Sequence, residues 1–199
     1  MKRFVLATLT VLTTAITFGQ TALGVKAGLN LSNTKGFDSE AKPILAEHLG
    51  AFANINVGKR VFLRPELLYT MKGYKFPAWG MYDEGTLNCK YMAMPVLLGI
   101  RPMERMSFLL GAEVGYLLNA KFHFTDSTGS DLRQFNKMDV ALNAGAAYWI
   151  RKRFSAEVRY SNGFKGLVNV TYADQSGSHT RKIGAYRVFQ LSLNYQLTK

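Results

Sequence analysis

The sequence predicts an all-β protein: an eight-stranded antiparallel up-and-down transmembrane β-barrel, preceded by a cleavable signal peptide. Three observations carry this. Apolar and polar residues alternate with period two almost everywhere after residue 24. The connections between the alternating segments are short and long in turn. One face of most segments carries charged and amide side chains, while the other is almost purely aliphatic and aromatic. Neighbouring residues of a strand point to opposite faces, so a period of two is the mark of a strand with two unlike surroundings.

The first twenty residues, "MKRFVLATLTVLTTAITFGQ", stand apart. Lys2 and Arg3 begin an apolar stretch from Phe4 to Phe18, followed by small residues. That is the layout of a secretory signal peptide, and the stretch falls short of the ~20 apolar residues of a spanning helix. Residues 1–20 are therefore assigned to the signal peptide and residues 21–199 to the barrel domain, with cleavage on one side or the other of Gln20, so that Gln20 or Thr21 comes first.

The strands follow in order. "GVKAGLNLS" sets Val25, Ala27, Leu29 and Leu31 against Lys26, Gly28, Asn30 and Ser32. "HLGAFANINV" sets Leu49, Ala51, Ala53, Ile55 and Val57 against Gly50, Asn54 and Asn56. In "VFLRPELLYTMKG", Val61, Leu63, Pro65, Leu67, Tyr69 and Met71 oppose Arg64, Glu66, Thr70 and Lys72. "YMAMPVLLGI" is apolar on both faces and fits strand or helix by periodicity alone; its length and Pro95 favour strand. "SFLLGAEVGYLLN" places Glu113 opposite Phe108, Leu110, Val114 and Tyr116, and "KMDVALNAGAAYWI" places Asp139 and Asn143 opposite Val140, Leu142 and Tyr148. "FSAEVRYS" and "VFQLSLNYQL" complete the eight, the former with Glu157 and Arg159 against Val158 and Tyr160. Tight turns fall at Gly58 to Arg60, Arg101 to Met106 and Arg151 to Arg153, whereas the connections near 33–46, 75–86, 120–136 and 165–184 are long.

Two barrels could satisfy this pattern: a soluble one with its apolar face inside, or a membrane one with that face on lipid. Strand length favours the membrane, since a tilted strand crosses hydrocarbon in ~9–11 residues. So do the glycines of the polar face (Gly28, Gly50, Gly111, Gly115, Gly145), which suit a narrow interior. Tyr69, Tyr116, Phe154, Tyr160, Phe189 and Tyr195 lie near the ends of the apolar faces, where interfacial aromatics belong. Arg64, Glu66, Glu113, Asp139, Glu157 and Arg159 are accordingly expected inside, as a structural network of ion pairs, because buried charges need partners. Eight strands leave an interior that side chains fill, so no wide channel is expected. Pro65 and Pro95 each remove a ladder hydrogen bond, which predicts a shared bulge near the short-turn rim.

The 199-residue chain has a formal charge of +12 and one cysteine, Cys89, which excludes an internal disulfide. Lys59, Arg60, Arg101, Arg105, Arg151, Lys152 and Arg153 crowd the short turns with only Glu104 opposing. The short turns are periplasmic in such a barrel and the long loops extracellular. Export argues against a nucleic-acid partner, and inner-leaflet phospholipid is the simplest contact for the basic rim. No metal spacing, cofactor loop or catalytic constellation is visible, and His48, His123 and His179 are placed near or in extracellular loops.

"GVKAGLNLS", "LRPELLYTMKG", "YMAMPVLLG", "EVRYSNGF" and "VFQLSLNYQL" together resemble the PorT-type outer-membrane β-barrel family of Gram-negative bacteria, a small OmpA/OmpX-like barrel. The resemblance covers the mature chain, and "PELLY…KG" and the proline-bearing fourth strand are its most specific parts. It implies insertion in the outer membrane. Two departures stand out: Ala93 replaces an acidic residue frequent in similar proteins, and the chain ends "YQLTK" rather than on an aromatic, leaving Leu197 as the terminal apolar residue of the assembly signal. The expected function is that of a non-enzymatic monomer in contact with phospholipid and lipopolysaccharide, with extracellular loops for a surface partner and Phe76, Trp79 and Tyr82 as loop contacts. The alternatives are a lipid-modifying enzyme acting on lipid A acyl chains, a component of a secretion machinery, or a soluble exported barrel.

Overall fold

A computed structural model describes residues 21–35, 41–78, 84–124, 128–129, 135–164, 168–174 and 177–198. The expected signal peptide, Trp79 and Tyr82 lie outside these residues. Eight long strands form the body: β1 (Thr21–Lys35), β2 (Lys42–Asn56), β3 (Val61–Phe76), β4 (Gly85–Met103), β5 (Met106–Phe124), β6 (Met138–Trp149), β7 (Phe154–Gly163) and β8 (Ala185–Gln196). Each pairs antiparallel with its sequence neighbour, and β1 pairs with β8, so the sheet closes. Closure leaves no unpaired edge, as hydrocarbon demands. A two-stranded ribbon, Val168–Asp174 with Gly177–Ile183, stands in the last long connection.

Side chains alternate in and out along every strand, and the polar set is the buried one. Lys26, Asn30, Asn54, Arg64, Glu66, Lys72, Glu113, Asp139, Asn143, Glu157, Arg159 and Gln190 are buried. Leu29, Leu142, Val158, Leu191 and Leu193 are exposed, the last at 65%. Outward aromatics lie toward both ends, among them Phe154 against Tyr195 with ring centroids 4.7 Å apart, and Tyr160 beside Phe189 across the β7–β8 pair.

Toward the long loops this polarity inverts. Lys35, Lys75, Lys121 and Arg187 point outward and are exposed, while Ile44, Ala46, Leu87, Cys89, Tyr91 and Leu117 turn inward. A strand that has left the hydrocarbon meets water outside, so charge moves to that face and apolar groups move to the core. The strands consequently run further than the sequence suggests: β2 begins at Lys42, β4 at Gly85, and β5 continues to Phe124.

The prolines do not produce the expected shared bulge. Pairing of β2 with β3 skips the residues around Pro65 and resumes in the same register, from Ile55↔Leu63 to Phe52↔Glu66. Pairing of β3 with β4 likewise resumes from Pro65↔Val96 to Leu68↔Ala93, past Pro95. Each ring removes one donor toward one neighbour, and the intact ladder on its other side holds the register. Register shifts fall elsewhere, between Pro43 and His48 on β2, and on β4 between Lys90 and Tyr91 and between Ile100 and Met103.

Candidate functional site

The interior is stacked in layers. Nearest the short turns, Phe62, Leu97, Leu109 and Ala147 form an apolar plug. Nearest the long loops, Tyr74, Leu87, Cys89, Tyr91, Leu117, Ala120, Phe135, Tyr186 and Val188 form a larger apolar cap. Between them lie two ionic clusters and a chain of neutral hydrogen bonds.

The first cluster joins Lys26 of β1, Arg64 and Glu66 of β3, and Glu157 and Arg159 of β7. Arg159 donates to Glu66 through Nη1 (2.9 Å to Oε2) and Nη2 (2.7 Å to Oε1), and Nη2 also reaches Glu157 Oε1 at 2.6 Å. Lys26 Nζ lies 2.7 Å from Glu157 and 3.2 Å from Glu66. Arg64 donates to Glu157 Oε2 at 2.8 Å and through Nε to Asn54 Oδ1 at 2.6 Å. Its guanidinium also sits 4.9 Å from the Phe52 ring centre. In the second cluster Lys72 Nζ lies 2.8 Å from Glu113 and 2.9 Å from Asp139, and Asn143 donates to Glu113 Oε2 at 3.0 Å.

The first cluster has one cation in excess and the second one carboxylate in excess, so four cations face four carboxylates in all. Isolated charges at such depth would cost many kcal/mol, and pairing with added hydrogen bonds is what makes them tolerable. All six residues expected in the interior are brought into these clusters. Sequence alternation puts Lys26 and Lys72 on the polar face without joining them to those six; only the tilt of the strands brings their ammonium groups to the carboxylates.

His48 is neither in a loop nor near a surface. It projects from β2 into the lumen, 2% exposed. Its Nδ1 lies 2.7 Å from Asn30 Oδ1 and its Nε2 2.8 Å from Ser192 Oγ. Asn30 donates its amide hydrogens to Thr70 Oγ1 and Met71 O, so its oxygen accepts from Nδ1–H, and Nε2 accepts from Ser192. That order of serine, histidine and orienting amide is the arrangement of an activated nucleophile. It is enclosed, however. Ser192 is 2% exposed. A Cβ on Gly28 would run into the Leu191 carbonyl and stand 2.9 Å from the His48 ring, so no room for an acyl group exists on that side. Here the relay fills and satisfies the lumen.

Of the expected loop contacts, Phe76 is half-buried at the end of β3, edge-on to Tyr74 and to Phe122, each with centroids 6.3 Å apart. Phe135 is buried against Phe122. Both belong to the cap over the lumen. Cys89 is buried in the same cap. Among the described residues no cluster of His, Cys, Asp or Glu could hold a metal ion.

Closed strands, an apolar exterior and a neutralised, filled interior define a small integral β-barrel of a bacterial outer membrane. Residues 18–169 match the family described as "Outer membrane protein beta-barrel domain", and the chain belongs to that family. Solved structures share the fold at low identity. The attachment invasion locus protein Ail of Yersinia pestis is 17% identical over 89% of this chain and 99% of its own, with a TM-score of 0.52. Neisserial surface protein A is 13% identical over 88% and 97%, with a TM-score of 0.59. A major outer membrane protein of Thermus thermophilus is 11% identical over 89% and 99%, with a TM-score of 0.50. A comparison with curated proteins gives no match.

Proposed function

We propose that this barrel is a rigid, non-conducting and non-enzymatic anchor whose extracellular loops engage a partner at the cell surface. The observation that carries this is the sealed lumen: apolar layers at both ends enclose a charge-balanced centre. Passage through the bore would need a water-filled channel, and acyl transfer by a serine a reachable hydroxyl; the one serine–histidine pair seen among the described residues is enclosed. That leaves the two rims and the loops to meet the surroundings.

The favoured partner class is an anionic surface glycan, lipopolysaccharide included. The outward cations Lys35, Lys75, Lys121 and Arg187 near the loop end support it. A structure of Ail is described in complex with the heparin analogue sucrose octasulfate, at 15% identity and a TM-score of 0.50. Trp79 and Tyr82 supply candidate aromatic contacts, which are enriched at binding hot spots. The segments "PELLY…KG" and "YMAMPVLLG" support a place in the PorT-type branch, with the protein acting as a monomer.

The test is capture of surface components by purified barrel and by variants lacking residues 79–83 or carrying Trp79→Ala. Loss of capture with unchanged heat-modifiability supports loop recognition. Identical capture by every variant would remove it.

A further inference from the structure

The described interior is neutral, with four cations against four carboxylates, so the basic excess of the chain lies outside it. On the periplasmic side the described residues Lys59, Arg60, Arg101, Arg105, Arg151, Lys152 and Arg153 face a single acid, Glu104, and none of these cations forms an ion pair among the described residues. Seven cations without counterions are not needed to fold a barrel. Their placement is uneven as well. A cleft of about 480 Å³ opens between the β4–β5 turn, the β6–β7 turn and the end of β8, lined by Arg101, Glu104, Arg105, Trp149, Ile150, Arg151, Lys152 and Gln196. Four cations and one carboxylate thus converge on one concavity.

We propose that this cleft is a binding site for a phosphate ester, supplied by a phospholipid headgroup of the inner leaflet or by a soluble periplasmic phosphate compound. Its volume is that of a small-ligand site. Arg101, Trp149 and Gln196 continue the inward-facing series of their strands, and Arg101 stacks on Phe62 with 4.1 Å from its Cζ to the ring centre. The cleft therefore sits on the periplasmic face of the apolar plug. Arg101 is held further by donation to Asn56 Oδ1 at 2.7 Å, which fixes one cation, while Arg105, Arg151 and Lys152 form no ion pair among the described residues and can close on an anion. The two turns are tied to neighbouring strands, Trp149 N–H donating to Arg105 O and Gln196 N–H to Arg153 O, both at 2.8 Å, so the cleft walls keep their spacing without a ligand. Guanidinium groups grip phosphate through paired hydrogen bonds. Trp149 and Ile150 provide apolar wall for the glycerol or organic part.

Trp149 is the reporter. In a Trp79→Phe background it is the only tryptophan left, because the sequence holds two. Its fluorescence is titrated in detergent with glycerol 3-phosphate and, separately, in nanodiscs of phosphatidylcholine with rising phosphatidylglycerol. A saturable change with glycerol 3-phosphate identifies a soluble source; one seen with phosphatidylglycerol alone identifies the headgroup. Arg105→Gln/Arg151→Gln/Lys152→Gln should weaken whichever binding is seen by about tenfold or more, each exposed pair being individually weak. Lys59→Gln/Arg60→Gln, on the remaining turn and outside the cleft, should leave it within twofold. No saturable change in either medium, or equal weakening by both variants, would overturn the site; the latter would reduce it to diffuse attraction by the rim. The same turn substitutions made with Trp79 intact should leave loop capture unchanged, so this outcome is separable from that of the surface experiment.

Discussion

Arg159 of β7 and Glu66 of β3 meet across the lumen in a two-pronged ion pair, at 2.9 and 2.7 Å, although their strands are not neighbours. Backbone pairing joins each strand only to the next. This contact instead spans the bore and ties opposite walls together. Replacing Arg159 leaves Glu66 only Lys26, at 3.2 Å, and leaves three buried cations facing four carboxylates where water cannot reach them. Arg159→Met should therefore lower stability by about 3–5 kcal/mol, measured by denaturant unfolding in lipid vesicles. Glu66→Gln/Arg159→Met should cost less than the two single changes added together. Additive losses would mean that the pair is not coupled.

The second cluster makes a sharper case, because Lys72 alone serves both Glu113 and Asp139. Lys72→Met leaves two carboxylates side by side and should also cost about 3–5 kcal/mol. Adding Glu113→Gln to Lys72→Met should restore part of the loss by removing one of those charges. No restoration in the same unfolding assay would show that Lys72 acts by packing.

Gly28 lies where the β1 and β8 backbones approach, its missing Cβ directed at the Leu191 carbonyl. Gly28→Val should impair assembly, read as loss of the heat-modifiable band on a gel. His48→Ala clears only the ring 2.9 Å away, not the carbonyl, and should fail to rescue it. Normal folding of Gly28→Val would contradict the tight interior.

Lumen sealing predicts electrical silence. The purified protein should give no resolved conductance steps in a planar bilayer, because Phe62, Leu97, Leu109 and Ala147 close one end and the aromatic cap the other. Stable open steps would refute the filled-lumen account.

How much of this is legible in the sequence follows from what alternation can and cannot encode. Val158 out and Arg159 in is a statement about one strand, and a period of two fixes it. Lys26 reaching Glu157 is a statement about strands β1 and β7, and depends on tilt and stagger that no local pattern carries. His48 escapes the sequence reading for another reason. The alternating stretch read from the sequence opens at His48 and so makes it look like a rim position, but the strand runs on to Lys42 with Ile44 and Ala46 facing inward, and that extension sets the ring inside the lumen. Ser192, two residues beyond Gln190 on β8, joins it only through closure of the sheet. The prolines mislead because a missing donor suggests a shift of register, whereas the ladder on the opposite side of each strand prevents it.

A membrane-spanning barrel is defined by the surroundings its outer wall meets, and spin labels report those directly. Nitroxides placed at Leu142, Val158 and Leu193 in reconstituted protein should be relaxed strongly by dissolved oxygen and weakly by a water-soluble nickel chelate, as acyl chains require. Labels at Lys59 and Arg105 on the turns should show the opposite ranking. Chelate-accessible labels at Leu142, Val158 and Leu193 would contradict the membrane-spanning barrel.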